Sequence, residues 1–353
     1  MKEKVIVGVS GGVDSAVSLY LLQKQGYDVL AVTMEIYKGE PLSDTIVGNS
    51  CYGREKQDLD DVKRLCEKLN VPCHIFDCSA EFNQKVLSVF KNEYMHGRTP
   101  NPCILCNRFI KFDVLPAKAK AEGIDFDYFA TGHYVRTKKI GDRVYLQKAT
   151  ESARDQSYFL WQLSQEQLER VKFPLGELTK TEVRKIAAEV YGWLANKKDS
   201  SDFYGGNYED ILQVEDKIGD IVLSNGTVLG HHKGFWHYTL GQRKGLGVAY
   251  PTPLYVVAID AENNRVVVGE ATSVMKTQIK ARDFNFYPFA DMTEVPVYGK
   301  VRSTQKPVET DKIILSDDGF ATVFFKDAVI SPAPSQSLVL YQNDCVIGGG
   351  FIV

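Results

Sequence analysis

The chain has 353 residues, 44% hydrophobic and 25% charged, enough for two or three domains with cores of their own. A formal net charge of -3 argues against a protein that wraps nucleic acid without specificity, although basic clusters such as Arg136, Lys138, Lys139 and Arg143 leave room for a localised anionic contact. Gly8, Ser10, Gly11 and Gly12 interrupt the apolar start too early for a signal-peptide core, no later run reaches about 18 apolar residues, and seven scattered cysteines suit reduced thiols, so the chain reads as cytoplasmic with no membrane partner.

In chain order, residues 4 to 9 form a short β-branched strand that runs into a glycine turn, and residues 14 to 25 show helical spacing that stops at Gly26. A strand over 29 to 34, a helix over 58 to 69 and a strand over 73 to 76 continue the alternation, which predicts a parallel sheet with helices on its faces. Helices over 81 to 95 and 108 to 121 precede a strand over 128 to 131 that ends at Gly132 and His133, and the carboxyl ends of such strands are where ligands bind. Beyond about 205, short alternating runs at 255 to 259, 265 to 268, 297 to 301, 321 to 325, 338 to 341 and 346 to 351 predict a β-rich, barrel-like remainder.

The turn Ser10-Gly11-Gly12-Val13-Asp14-Ser15 lies between the first strand and the first helix. Glycines there let the backbone approach an anion, and the helix start offers free N-H groups and the positive end of its dipole. No lysine lies in the turn and GxxxxGK[ST] is absent, so this is not the Walker type. SGGxDS resembles the signature of the PP-loop ATP pyrophosphatase superfamily, whose members bind ATP there and transfer AMP to a substrate oxygen.

Further segments narrow the choice: GRTPNPCILCNRFIKF at 97 to 112, ATGHY at 130 to 134, DQSYFL at 155 to 160, YTLGQRKGLG at 238 to 247 and the terminal GGGFI. Over essentially the whole chain these resemble the tRNA-specific 2-thiouridylase family (MnmA/TrmU). The resemblance implies an α/β class: a parallel-sheet PP-loop domain, like the adenine nucleotide α-hydrolases, over 1–204, a small central domain over 205–271 and a C-terminal β-barrel over 272–353. It implies ATP with Mg2+, tRNA as substrate, and a sulfur donor protein, either a cysteine desulfurase or a relay protein. By position, ATP falls to Gly8, Val9, Ser10, Gly11, Gly12, Val13, Asp14, Ser15, Met34 and Gly132. The target base and tRNA fall to Asn101, Pro102, Cys103, His133, Arg154, Asp155 and Gln156, with Arg302, Ser303 and Gln336 in the barrel, and Cys106 matches the catalytic cysteine. From the residues alone, Met34 at a strand end reads as core, and His133 after a strand reads equally as a turn cap or as a site residue.

Two positions depart from the family. Tyr204 stands where a second, persulfide-bearing cysteine is usual, and a phenol cannot carry transferable sulfur. Cys103 replaces an acidic residue and creates Cys103-Ile104-Leu105-Cys106. That pair suits a dithiol carrying the persulfide; the alternative is an iron-sulfur cluster with a third ligand such as Cys51. A tRNA-binding relative that has lost sulfur transfer, or another PP-loop synthetase, are the competing functions.

Overall fold

The computed structural model describes residues 2–38, 51–52, 55–199, 203–206, 208–288 and 295–353. Its contacts divide the chain into two compact units: Met1–Leu87 with Pro102–Asn207 and Asp344–Val346, and Ser88–Asn101 with Tyr208–Asn343 and Ile347–Val353.

The first unit is built on β1 (Lys4–Gly8), α1 (Val13–Lys24), β2 (Asp28–Glu35), α2 (Glu55–Leu69) and β3 (Cys73–Asp77). Next come α3 (Ser79–Phe82), α5 (Pro102–Leu105), α6 (Leu115–Ala121) and β4 (Tyr128–Thr131); α4 (Ser88–Met95) belongs to the second unit. The hairpin of β5 (Val135–Ile140) and β6 (Arg143–Lys148), then α7 (Gln165–Glu169), β7 (Val171–Lys172) and α8 (Lys180–Val190) complete it. Five parallel strands run in the order β3-β2-β1-β4-β7. Val5, Ile6 and Val7 of β1 are buried, as a central parallel strand covered on both faces requires. α1 packs on this sheet with Val13, Ala16, Val17, Leu19 and Leu22 buried, and α8 covers it in turn through Val183 and Ala187. A reciprocal capping box of Thr179 with Glu182 fixes the start of α8.

Two of the expected helices are not plain α-helices. Residues Asn83–Leu87 and Cys106–Val114 form π-helix, and the second follows directly on α5, so the helix begins at Pro102 rather than 108. Pro102 lacks an amide hydrogen and carries a pre-set φ, which suits a first helical position. Its early start places Cys103 and Cys106 on the helix, ahead of the expected first residue.

In the second unit, α9 (Tyr208–Leu212) leads into β8 (Gly219–Leu223), β9 (Val228–His232), β10 (Tyr255–Asp260) and β11 (Arg265–Gly269), a sheet ordered β10-β11-β8-β9. The last strands are β12 (Met275–Phe286), β13 (Tyr298–Lys300), β14 (Val308–Leu315), β15 (Ala321–Ile330), β16 (Ser337–Gln342) and β17 (Cys345–Ile352). They run β12-β15-β14-β13-β16-β17, and pairing of β12 with β17 closes the barrel. Closure pairs the two outer strands of the six, β12 and β17, with each other.

Candidate active site

β1 ends where the chain must turn into α1 within four residues, and two tight approaches shape that turn. Gly11 has φ of +70°, and a Cβ there would lie 2.7 Å from the Asp58 carbonyl oxygen. At Gly132, just past β4, a Cβ would lie 2.7 Å from the backbone nitrogen of Ser15 and 2.8 Å from the carbonyl carbon of Asp14. Ser15 Oγ accepts from Ser10 N at 3.1 Å and donates to the Gly12 carbonyl at 3.2 Å, which holds the turn on itself. Gly12 caps α1 without a side chain. The first amides of the helix therefore face outward with the dipole behind them, an arrangement made for an anion.

The turn has no lysine of its own, but two come to it from afar. Lys197 Nζ donates to the Gly11 carbonyl at 3.0 Å and to Asp58 and Asp61 at 3.0 and 2.6 Å. Lys180 Nζ, with its side chain 7% exposed, lies 2.7 and 2.9 Å from the two oxygens of Asp14 and 2.7 Å from Asp199. The Tyr134 hydroxyl donates to the same Asp14 carboxylate at 2.8 Å. Burial alone would raise the Asp199 carboxyl, but Lys180, Arg184 and Arg154 bring it below the usual range.

A second cluster follows from the same strand end. His133, next to Gly132, is buried and shares a 2.7 Å hydrogen bond between Nδ1 and Thr131 Oγ1. Burial first, and the charge of Lys111 second, hold its imidazole well below its ordinary value, so it is neutral at pH 7. Lys111 lies on the π-helix five residues after Cys106, which is one turn of such a helix. Burial pulls Lys111 down, but Cys106, Cys51 and Cys103 as thiolates outweigh it and raise it. Burial pushes the Cys106 thiol up to about 11, Lys111 draws it back, and Cys51 adds to the rise. Lys111 is thus in charge range of Cys51, Cys103, Cys106 and His133.

Tyr204 is buried, and its ring lies 6.5 Å from that of Tyr52. The Tyr52 amide donates to the Phe203 carbonyl at 2.9 Å. The segment in which the family carries its second cysteine therefore lies against the residue that follows exposed Cys51.

An iron-sulfur cluster needs three or four thiolates or equivalent ligands gathered around one centre. Among the described residues, the group of three His, Cys, Asp or Glu ligand atoms within 4.8 Å of one another is Glu209, Asp216 and His237 in the second unit, and the cysteines form none. That spacing is the one a single ion requires; Cys103 and Cys106 stand three positions apart on one helix, as either a dithiol or two ligands of a cluster would.

Other expected residues fall as follows. Gly8 and Val9 end and follow β1, with the Val9 amide bound to the Val32 carbonyl at 2.9 Å, while Met34 is half-buried near the end of β2, opposite Phe76. Arg154 forms a 3.0 Å pair with Asp199. Asp155 accepts from Ala149 N, Ser157 N and Ser157 Oγ, and Gln156 Oε1 accepts from Tyr134 N at 2.8 Å, so both shape the loop beside the site. In the second unit, Arg302 donates to the Leu240 carbonyl at 2.6 Å, the Ser303 carbonyl accepts from Lys300, and Gln336 donates to the Thr99 carbonyl at 2.9 Å. The division between the units falls between Asn101 and Pro102. Lys111, Tyr134, Lys180, Lys197 and Asp199 were not singled out as site residues from sequence. The T-x-x-E capping box around Lys180 marked only a helix start.

A parallel sheet whose first strand opens into a lysine-free SGGxDS turn defines the first unit as a nucleotide-binding domain of the PP-loop class. Family models match three stretches in turn: a tRNA methyl transferase HUP domain over residues 3–204, a tRNA methyl transferase PRC-barrel domain over 210–270, and an aminomethyltransferase β-barrel domain over 276–352. The tRNA-specific 2-thiouridylase MnmA of Endomicrobium trichonymphae is 42% identical over 99% of both chains, and that of Clostridium beijerinckii 41% identical over 100% of this chain and 99% of its own. The chain belongs to the tRNA-specific 2-thiouridylase family. A crystal structure of a 4-thiouridine synthetase-RNA complex with bound ATP matches 60% of this chain and 46% of its own at 18% identity, with a TM-score of 0.37, a likeness too slight to bear on function.

Proposed function

We propose that this chain is an ATP-dependent tRNA-uridine 2-sulfurtransferase acting on the wobble uridine. ATP enters as its Mg2+ complex, with its phosphates on the amides of α1. The uridine 2-oxygen attacks the α-phosphorus, pyrophosphate leaves, and the adenylated oxygen becomes a good leaving group. The terminal sulfur of a persulfide on Cys106, loaded by a desulfurase or relay protein, attacks carbon 2 and AMP departs. Cys103 thiolate then attacks the Cys106 sulfur. A Cys103–Cys106 disulfide forms, the electron pair stays on the transferred sulfur as the thiocarbonyl, and a dithiol reductant restores both thiols. Lys111 favours the thiolate form of Cys106, and neutral His133, whose imidazole burial and Lys111 together hold uncharged, adds no charge of its own.

The observation that carries this reading is the close approach of Gly132, next to His133 in sequence, to the backbone of the SGGVDS turn, together with one helix that bears Cys103, Cys106 and Lys111. Buried Tyr204 motivates the competing reading of a tRNA-binding protein without sulfur transfer. Mass spectrometry of tRNA nucleosides from a deletion strain decides. Restoring this gene should restore 2-thiouridine, and C103S and C106S should each abolish it. Restoration without 2-thiouridine, while tRNA is still bound, overturns the proposal in favour of the competing one.

A further inference from the structure

We propose that Lys180 is a positioning residue of the phosphate site: it draws the Asp14 carboxylate out of the first turn of α1, so that the helix amides meet a polyphosphate unopposed. The proposal deepens the reading above and rests on it. Asp14 is the acidic residue of that turn. A carboxylate at such a position has two harmful options. It can fold back onto the free amides, as capping carboxylates do, and occupy the anion site itself, or it can stand beside the incoming phosphates and repel them.

The structure shows it doing neither. Both Asp14 oxygens are held by Lys180 at 2.7 and 2.9 Å, and one also by Tyr134 at 2.8 Å. Lys180 is itself fixed. Its backbone amide donates to Glu151 at 2.6 Å, the preceding Thr179 closes the capping box, and its ammonium also holds Asp199 at 2.7 Å. With a side chain 7% exposed, it is little screened by solvent. Asp199 is further met by Arg184 and Arg154 at 2.9 and 3.0 Å. The two arginines share Asp199 with Lys180, so its ammonium is not spent on Asp199 alone. A lysine 166 positions beyond Asp14 thus neutralises the acidic side chain of a turn that has no lysine of its own.

The test is ATP binding by calorimetry on the full chain, with and without Mg2+, in wild type, K180M, K180R, D14N and D14N/K180M, with a thermal melt of each. K180M is expected to weaken ATP binding by on the order of tenfold or more, and K180R to keep most of the affinity. In the D14N background the same K180M change should cost no more than about twofold, because the charge it countered is gone. If K180M alone does not fold, D14N against D14N/K180M still decides, since the double variant leaves no unpaired Asp14 carboxylate. Wild-type affinity in K180M, or an equal loss with aspartate and asparagine at position 14, overturns the proposal. A wild-type protein that binds no ATP overturns instead the nucleotide-site reading beneath it.

Discussion

Gly132→Ala adds a single methyl group at the point where the end of β4 touches the start of α1. Its Cβ would lie 2.7, 2.8 and 3.0 Å from Ser15 N, Asp14 C and Ser15 Cα, all backbone atoms that cannot rotate away. Ordinary contact begins near 3.4 Å, so strand end or helix start must shift by roughly half an ångström, an overpacking that costs about 1–3 kcal/mol. The same methyl group sits over the Ser15 amide, one of the free donors of the anion site, so loss of that donor alone should weaken ATP binding by about tenfold. Gly12→Ala is the control for stability alone, because a Cβ there meets only Ser10 Oγ at 3.5 Å while still standing in the anion-binding turn. Urea unfolding and ATP calorimetry on both variants measure the two effects. If Gly132→Ala matches wild type within about 0.5 kcal/mol and binds ATP unchanged, the close packing of Gly132 on the phosphate turn is wrong.

The Cys106 thiol, pushed by burial from 9.0 up to about 11, should resist iodoacetamide at pH 8 and react faster as pH rises toward 11, while K111M should slow it further; mass mapping of alkylated peptides checks this. Because the folded value is the higher one, the thiol contributes stability that is complete below pH 9 and lost as pH climbs through 11, which denaturant midpoints across that range should show. His133 has the opposite sign: its stability is present above pH 6.5 and lost as pH falls below it, and NMR should find no imidazole titration between pH 6 and 8. Tyr204→Cys, which restores the family residue by sequence, should destabilise by about 3–5 kcal/mol through the cavity left among Tyr52 and Phe203, without raising 2-thiouridine yield. Binding of tRNA should weaken with salt, with a slope reporting several displaced counterions, and a flat titration would contradict an electrostatic tRNA site.

Local signals were the legible ones. The SGGVDS turn, the strands beside it and the CxxC spacing could be read because each depends on a few neighbouring residues. Lys180 could not be read as part of the phosphate site, since its partner Asp14 lies 166 positions away. The helix that carries Cys103 and Cys106 was expected to start too late, because a proline and a π-helical stretch hide its 3.6 period. Strands such as β5, with VRTKKI, and β12, with MKTQIKARDFNF, escaped notice because charged outward faces leave few apolar alternations. The loss of the second cysteine at Tyr204 was plain in the sequence. That Cys51 stands one residue from the segment it left was not, for only the Tyr52–Phe203 bond brings them together.

Ser88–Asn101 is an early segment of the chain that folds with late ones. Phe90 and Tyr94 of α4 pack on Tyr208, and the Glu93 carboxylate is met by Ser335, 242 positions further on. At about 5–20 residues per second, a ribosome needs roughly 10 to 50 s to deliver that serine after the glutamate has emerged. Until Tyr208 emerges, about halfway through that interval, the nascent chain holds an aromatic helix face without that ring to pack on. A fragment stopped at the end of the nucleotide-binding domain would hold it permanently, so expression of residues 1–204 alone leaves a sticky surface that the full-length protein conceals.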